Sequence, residues 1–269
     1  MDPVIMLTLD VEEFDAPLDK GHDLSFQEQI DISRRGMEAV MERIDSIGVR
    51  TTLFTTARFA ESEPELIQQA SQKHEIASHG LNHGSFERSD LLESKKRLEA
   101  ISRQAIIGFR RPRLQWTDPQ DILDAGYVYN SSMSPTWIPG RYNNLDLPRT
   151  IYRENGLVQM PVSVTPGLRI PLFWLLMKNI PLGLYRKFLR RTLQKDGYLN
   201  LYFHPWEFVD TGKLLPRYTS RYSGPRMIER LATCLWELAE HGRFQAIGDF
   251  VDQKLRGREA YVSQGTSAR

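Results

Sequence analysis

The sequence lacks the features that would assign it to several broad classes of protein. Its single cysteine, Cys234, cannot form a disulfide within the chain, so nothing indicates an oxidising compartment. No apolar run approaches the roughly 20 residues of a membrane-spanning helix. No basic segment precedes an apolar run at the start, so we expect no signal peptide and a cytoplasmic location. The 35 Lys and Arg and the 34 Asp and Glu residues nearly cancel, so bulk charge does not indicate nucleic-acid binding.

The composition is that of an ordinary globular protein, with 41% hydrophobic and 26% charged residues. A chain of 269 residues is long enough for one large α/β domain. We predict a single domain over 1–255 and a polar C-terminal tail over 256–269. Cys234 lies in an apolar helical pattern and is predicted to be a buried, unreactive thiol.

Apolar, strand-like segments alternate with helical patterns through much of the chain. The predicted strands cover 4–9, 51–55, 75–78, 106–109 and 199–203. Predicted helices cover 29–46, begin near Pro64 and Ser89, and return over 225–240. This alternation predicts a parallel sheet or a (β/α) barrel. In such a barrel the carboxyl ends of the strands share one face, where residues far apart in sequence meet.

Acidic residues follow the first predicted strand, and a pair of histidines follows the third. Asp10 and Glu12 are two residues apart, so a strand would point both to the same side. A solvated acidic turn is the simpler alternative. His79 and His83 are four residues apart, a spacing that lets a helical turn or a tight loop direct both imidazoles to one metal ion. Such a pair also occurs by chance on surface helices.

Two further residues lie at predicted strand ends. Arg110 follows the fourth strand, and His204 ends the strand over 199–203, where Pro205 stops it. A carboxylate, an imidazole and a metal ion together can activate water, polarise a carbonyl and protonate an amine. In a barrel these strand-end residues would meet in one pocket.

These motifs, in this order, resemble the polysaccharide deacetylase (NodB-homology) family of carbohydrate esterases. The matching segments are Thr8–Glu12, His79–His83, Arg110–Pro112 and Leu201–His204, and the resemblance extends over about 4–250. It implies a distorted, TIM-like (β/α) barrel of about seven strands. It also implies metal-dependent hydrolysis of an N-acyl group, most simply N-acetyl, on an amino sugar or glycan.

The resemblance implies a role for each strand-end residue. Asp10 would be the general base, Arg110 would hold Asp10 in place, and His204 would be the general acid. His79 and His83 would bind a divalent metal, with Zn²⁺ expected first and Co²⁺, Ni²⁺ or Mn²⁺ as alternatives.

One position departs from the family pattern. Val11 stands where the family has a metal-binding aspartate, and Glu12 is the nearest substitute. We predict Glu12 as the third metal ligand. One alternative is a metal-independent hydrolase of cyclic amides or other non-peptide C–N bonds, similar to the allantoinases that share this fold. Another alternative is a catalytically silent barrel that only binds saccharide.

Aromatic residues near these motifs are candidates for sugar contacts, because a flat ring can cover the apolar side of a sugar. Trp206 is predicted to bind substrate, with Trp116 and Trp137 as further candidates, and Pro112 of the third motif is also predicted to do so. The segments 126–132 and 204–208 resemble a branch of the family found in bacterial surface-glycan biosynthesis.

The segment 168–191 combines an apolar run with basic residues. Leu172–Met177 is apolar, and Arg186, Lys187, Arg190 and Arg191 follow. A buried helix with a solvated basic face explains this pattern. The alternative is a surface that contacts an anionic membrane or a polyprenyl-phosphate-linked saccharide, which predicts peripheral membrane association.

Overall fold

The computed structural model describes residues 2–255 and is built around one curled sheet. The predicted tail over 256–269 lies outside the described residues. The strands are β1 Val4–Val11, β2 Thr52–Thr55, β3 Glu75–Ser78, β4 Gly108–Phe109, β5 Tyr129–Asn130, β6 Trp137–Ile138, β7 Tyr142–Asn143, β8 Tyr152–Glu154, β9 Leu157–Gln159, β10 Tyr198–Phe203 and β11 Arg243–Phe244.

Most of the helices connect successive strands. They are α1 Phe26–Ile47, α2 Ala57–Ser62, α3 Pro64–Ser71, α4 Ser89–Ser102, α5 Pro119–Asp124, α6 Trp174–Asn179, α7 Leu182–Asp196, α8 Arg217–Ser220 and α9 Pro225–Ala239. Short 3-10 turns cover Leu18–Lys20, Pro112–Leu114 and Pro205–Phe208. The chain is helical again from 247 to the last described residue, 255.

The sheet confirms the predicted α/β class and the distorted (β/α) barrel. Its order is β10-β1-β2-β3-β4-β5-β9-β8, and the first seven strands in this order are parallel to their neighbours. Strand β8 runs antiparallel to β9, and β11 pairs with the start of β1. The two ends of the curl approach each other where Ser163 N donates to the Asn200 carbonyl of β10 at 2.9 Å.

Strand β1 shows how the curl positions the site. All eight of its residues are buried, as its continuous apolar sequence predicts for a central parallel strand. Ile5, Leu7 and Leu9 pack in the cluster formed with the helices. Val4 and Met6 lie in a smaller apolar cluster inside the curl. Because side chains alternate along a strand, Thr8, Asp10 and Glu12 continue this inner face toward the carboxyl end.

The segment after α9 differs from the structure that its sequence pattern predicts. The apolar residues over 244–247 suggest a strand, but β11 ends at Phe244 and Ile247 begins a helix. The first N–H groups of that helix are held by buried side chains. Thr52 Oγ1 accepts from Ile247 N at 2.8 Å, and Glu75 Oε2 accepts from Gly248 N at 3.0 Å. Thr52 and Glu75 thus satisfy N–H donors that the start of a helix leaves free. No local sequence pattern indicates these contacts, because the partners are distant in the chain.

Much of the apolar run in 168–191 faces the protein. Leu172, Met177 and Lys178 are buried, while Leu168 is exposed. Arg190 Nε on α7 lies 3.1 Å from Glu237 Oε1 on α9. Within residues 2–255, no helix has the length and apolar character that crossing a membrane requires.

Cys234 is buried on α9, as its apolar helical surroundings predict. Burial raises the pKa of its thiol to about 12, so the reactive thiolate is scarce near neutral pH.

Candidate active site

Asp10 and Arg110 form a buried ion pair at the carboxyl ends of β1 and β4. Arg110 is fully buried, and its Nη1 donates to Asp10 Oδ1 at 2.5 Å. The same nitrogen donates to Thr8 Oγ1 at 2.8 Å. The other guanidinium nitrogens donate to the carbonyl and hydroxyl oxygens of Ser131 at 3.1 and 2.9 Å. Because every guanidinium nitrogen is engaged, Arg110 is a rigid support for the carboxylate beside it.

The two predicted metal-binding histidines lie on a tight loop after β3. Gly80 follows His79 with φ of 84°, a left-handed conformation that favours glycine, and this turn brings His83 back toward β1. The Nε2 atoms of both histidines lie 3.2 Å from Glu12 Oε2. The loop therefore brings His79 and His83 together, and Glu12 faces both.

Charges within this cluster shift its pKa values. Burial by itself disfavours the charged form of Glu12, but the imidazoles of His83 and His204 outweigh burial and lower its pKa well below its usual range. Burial likewise opposes the charged form of His83. The carboxylates of Glu12 and Asp15 outweigh it and raise the pKa of His83 to about 9. The cluster therefore combines an ionised carboxylate with an imidazole that binds a proton strongly.

The cluster of Glu12, His79 and His83 has the chemistry of a divalent metal site. One ligand atom from each residue lies within 4.8 Å of the other two. Two imidazoles and one carboxylate form a donor set that zinc enzymes use, with a further coordination position left for water or substrate. The buried Nδ1 of His79 has no hydrogen-bond partner within residues 2–255. The three residues therefore fit a zinc-like ion.

Asp15 supports this cluster, although its sequence position suggests only a solvated acidic turn. Asp15 Oδ1 lies 2.7 Å from His83 Nδ1, so it can fix the ring with Nε2 facing Glu12. Arg113 Nη2 lies 3.6 Å from Asp15 Oδ2. A carboxylate behind a ligating histidine orients the ring and increases its basicity. The one available signal is that Asp15 belongs to the same acidic segment as Asp10 and Glu12.

His204 follows β10 and faces the Asp10 oxygen that Arg110 does not contact. Its Nε2 is 3.9 Å from Asp10 Oδ2. Its Nδ1 lies 2.9 Å from Glu207 Oε1, which also accepts from the His204 backbone N–H at 2.8 Å. Burial by itself lowers the pKa of His204, but the carboxylates of Glu12 and Glu207 raise it above the ordinary value.

Glu207 is not among the site residues predicted from the sequence, and Lys178 lies behind it. Both side chains are fully buried, with Lys178 Nζ 3.8 Å from Glu207 Oε2. Lys178 also donates to the Thr219 carbonyl at 2.8 Å. Burial lowers the pKa of Lys178, although Glu207 opposes the shift. Lys178 lies in an apolar helical run, and no local sequence pattern indicates its contact with Glu207. Tertiary packing brings α6 to His204 and Glu207.

The proposed catalytic residues share one cleft of about 390 Å³. Its lining includes Asp10, Glu12, His79, His83 and His204, with aromatic walls from Tyr142, Phe173, Trp174 and Tyr202. Arg110 is not part of the lining and lies beneath Asp10. The structure thus brings together the five residues to which the resemblance assigns a catalytic or metal-binding role and Glu12, the predicted third ligand.

Of the two predicted substrate contacts, Trp206 lines the cleft and Pro112 does not. Trp206 is 5% exposed, its ring stacks with those of His204 and Phe14, and its Nε1 donates to Glu12 Oε1 at 3.3 Å. Trp206 therefore supports Glu12 from the wall of the cleft, and its contact with substrate stays a prediction. Pro112 is buried and is not part of the cleft lining, which takes Arg113 and Leu114 from the same turn instead. Substrate contact by Pro112 stays a prediction.

Residues 19–129 match the model of the family described as polysaccharide deacetylase. The matched segment includes His79, His83 and Arg110 but ends before His204. It confirms the resemblance predicted from the motifs and supports the predicted enzyme class, a hydrolase of the deacetylase type. No curated protein matches the sequence.

Solved structures share the fold at low sequence identity. A Mycobacterium smegmatis protein named as a polysaccharide deacetylase is 17% identical, with a TM-score of 0.66 over 95% of this chain and 91% of its own. A Pseudomonas aeruginosa PAO1 protein so named is 15% identical, with a TM-score of 0.65 over 94% and 91%. The Puue allantoinase is 14% identical, with a TM-score of 0.62 over 93% and 89%. At these identities the likeness shows a shared fold.

Proposed function

On the basis of its match to the polysaccharide deacetylase family, we propose that this protein is a metal-dependent hydrolase that removes an N-acyl group, most simply N-acetyl, from an amino sugar or glycan. The observation that carries the proposal is the placement of a buried carboxylate and an imidazole, Asp10 and His204, in the same cleft as the Glu12–His79–His83 cluster. Binding a saccharide would not require this set of ionisable groups.

Asp10 and His204 divide the proton transfers of amide hydrolysis. Asp10 Oδ1 is held by Arg110, which leaves Oδ2 on the side of His204 to take a proton from the attacking water. The raised pKa of His204 favours its protonated form, which can give a proton to the departing amine. Water thus adds across the C–N bond, releasing a carboxylate and an amino sugar.

Glu12, His79 and His83 would hold the divalent ion, which we expect to be Zn²⁺, with Co²⁺, Ni²⁺ or Mn²⁺ as substitutes. A divalent ion bound there supplies Lewis acidity that lowers the pKa of water and polarises the acyl carbonyl. Trp206 and Asp15 keep Glu12 and His83 oriented through their hydrogen bonds.

The test combines metal analysis with acetate or formate release from N-acylated saccharides. We expect Asp10→Asn and His79→Ala to lose most activity, while His241→Ala, an exposed histidine outside the cleft, retains it. Chelation should abolish activity and zinc should restore it. Full activity in Asp10→Asn would show that Asp10 is not the general base.

The same experiment distinguishes the proposed deacetylase from a metal-independent hydrolase and from a barrel that only binds saccharide. Activity on cyclic amides that survives chelation would favour an allantoinase-like, metal-independent hydrolase. Saccharide binding without acyl release under any metal condition would favour a silent barrel.

We place the reaction in surface-polysaccharide biosynthesis, with a polyprenyl-phosphate-linked saccharide as one form of the substrate. The support is the resemblance of 126–132 and 204–208 to that branch of the family. Comparing acyl release from a free saccharide and from the same saccharide on a polyprenyl phosphate tests this assignment.

Few apolar residues of 168–191 are exposed and available for the predicted peripheral membrane contact. Phe173 and Trp174 form walls of the cleft, and Trp174 packs against His204. The exposed apolar residues left for a membrane are Leu168 and Leu184. Co-sedimentation with anionic vesicles, comparing wild type with Leu168→Glu and Leu184→Glu, tests the contact.

A further inference from the structure

Lys178 is a fully buried lysine in the last turn of α6, and it is not part of the cleft lining. Its Nζ lies 3.8 Å from Glu207 Oε2 and donates to the Thr219 carbonyl at 2.8 Å and to Ser223 Oγ at 3.3 Å. Three acceptors match the three N–H groups of an ammonium. A buried charge is costly unless it is paired, so these contacts indicate that the position holds a cation.

Two tryptophans connect the surroundings of Lys178 to those of His204. The ring centroids of Trp174 and Trp206 lie 5.2 and 5.6 Å from Lys178 Nζ, and an aromatic face attracts a cation at such distances. The same two rings pack against the imidazole of His204, with centroids 5.6 and 4.9 Å away. Lys178 and His204 therefore contact the same two rings.

The two carboxylate oxygens of Glu207 face different partners. Oε1 accepts from the backbone N–H and ring Nδ1 of His204, whereas Oε2 is buried and makes no hydrogen bond within residues 2–255. His204 and Lys178 are the ion-pair partners of Glu207 in that part of the chain. Burial raises the pKa of Tyr185 on α7 well above its ordinary value, so this neighbour of Glu207 is neutral. Lys178 is therefore the cation that balances Glu207 on the Oε2 side.

The proton in the hydrogen bond between Glu207 and His204 can lie on either partner. When Glu207 is ionised, the proton lies on Nδ1, and the ring can carry a second proton on Nε2 as an imidazolium, which is an effective acid. When the proton lies on Glu207, the ring is neutral and its Nε2 proton is much harder to release. Burial favours this neutral pair, whereas nearby opposite charges favour the charged one. Glu12 and Asp10 favour the charged ring from the cleft, and Lys178 favours it through Glu207.

We propose that Lys178 is a positioning residue for the proposed reaction. Its buried charge keeps Glu207 ionised, so Glu207 holds one proton on His204 Nδ1. The second ring proton, on Nε2, is the one that the departing amine receives. The proposal rests on the proposed function and deepens it, because it assigns part of the acid strength of His204 to a helix outside the recognised motifs.

Nitrogen NMR of the zinc-loaded protein tests this role without substrate, because the chemical shift of a ring nitrogen shows whether it carries a proton. Near neutral pH, His204 Nδ1 should carry a proton in the wild type. Lys178→Met is similar in shape but uncharged, and it should move that proton to Glu207 in most molecules. The spectrum of His204→Gln identifies the signals. An unchanged Nδ1 in Lys178→Met would overturn the proposal.

Kinetics on an N-acylated saccharide gives a second measurement. Lys178→Met should lower kcat by about 10-fold to 100-fold, within what general acid catalysis contributes, and change KM little. In the Glu207→Gln background, Lys178→Met should cost no further kcat, because the amide cannot take up the proton. The double variant also removes the buried charge that Lys178→Met leaves unpaired, so it remains informative if the single variant folds poorly. An equal loss of kcat in both backgrounds would overturn the action through Glu207.

Arg230→Met is the matched control, because Arg230 also tethers the end of α6. Its Nη2 donates to the Met177 and Ile180 carbonyls at 2.5 and 3.2 Å, and it is not an ion-pair partner of Glu207 within residues 2–255. Arg230→Met should leave the Nδ1 proton and kcat unchanged. A displaced Nδ1 proton in both variants would show that Lys178 acts only by anchoring α6.

The two measurements separate this proposal from the proposed reaction. If no saccharide is deacylated but the Nδ1 proton moves in Lys178→Met, the proposed reaction fails and the role of Lys178 stands. If the wild type deacylates a saccharide and the proton stays on Nδ1 in Lys178→Met, the role of Lys178 fails and the reaction stands.

Discussion

Glu207 accepts two hydrogen bonds from His204, one from the backbone N–H at 2.8 Å and one from ring Nδ1 at 2.9 Å. The two residues are linked by the short turn Pro205–Phe208, so the carboxylate and the ring are held together locally. This contact assigns the proton of Nδ1 and leaves Nε2 on the side of Asp10. Glu207 is thus a positioning residue for the proposed general acid.

Replacing Glu207 with glutamine keeps its shape and removes its charge. The raised pKa of His204 should then fall, although burial and Glu12 still act on it. A general acid is lost as pH rises through its pKa, so the alkaline limb of the kcat profile should move to lower pH. KM should change little. The exposed Glu240→Gln is the control, and an unmoved limb in Glu207→Gln would show that Glu207 does not tune His204.

Arg110→Met leaves the buried Asp10 carboxylate without its partner. Because the remaining charge is buried, we expect a loss of about 3–5 kcal/mol in the free energy of unfolding. Arg97→Met removes partly exposed pairs with Glu61 and Glu93 on the surface and should cost at most about 1 kcal/mol. Chemical denaturation measures both variants.

The double variant Asp10→Leu with Arg110→Met separates the lost pair from lost packing. It should recover much of the stability, because a buried ion pair replaced by apolar groups is often neutral. If the double variant is no more stable than Arg110→Met alone, the lost stability comes from the contacts of the guanidinium with Thr8 and Ser131 and not from the unpaired carboxylate.

Asp15→Ala removes the acceptor behind His83 while leaving all three proposed ligands in place. We expect zinc affinity to fall about 10-fold to 100-fold, the usual effect of losing a group that orients a metal ligand. Asp19→Ala is the control, since Asp19 contacts Arg113 and no histidine. Competition with a chromophoric chelator measures the affinities. Equal affinities in the two variants would contradict this role of Asp15.

Zinc binding should be coupled to proton release by His83. The pKa of this imidazole is raised to about 9 in the metal-free protein, so at pH 7 it is protonated, whereas a metal ligand must be neutral. Zinc affinity should therefore increase as pH rises toward about 9. Calorimetry in buffers of different ionisation enthalpy counts the protons released. No proton release at pH 7 would rule out His83 as a ligand that binds in competition with a proton.

The same shift predicts how the stability of the metal-free protein depends on pH. A histidine whose pKa is raised on folding stabilises the fold fully below its unfolded pKa, about 6.5. That contribution is lost as pH rises through about 9. The denaturation midpoint of the apoprotein should decline across this interval, and the decline should be smaller in His83→Gln.

Local patterns predict much of this molecule because they depend on neighbours in sequence. The buried strand Val4–Val11 has its continuous apolar run, and Glu75–Ser78 occupies the predicted bounds. Alternation along β1 correctly places Asp10 and Glu12 on one face. The ordered motifs indicate the family, because their residues occur at successive strand ends of a parallel sheet.

Only the tertiary structure places Lys178 behind Glu207, Trp206 against Glu12, and Trp116 beside the catalytic cleft. An apolar run such as Leu172–Met177 looks the same whether it faces a membrane or a catalytic histidine, because a local pattern records hydrophobicity and not its partner. The inner face of β1 and the histidine pair can thus be recognised in the sequence alone. Their supporting contacts depend on how the curled sheet brings distant segments together, since each joins residues far apart in the chain.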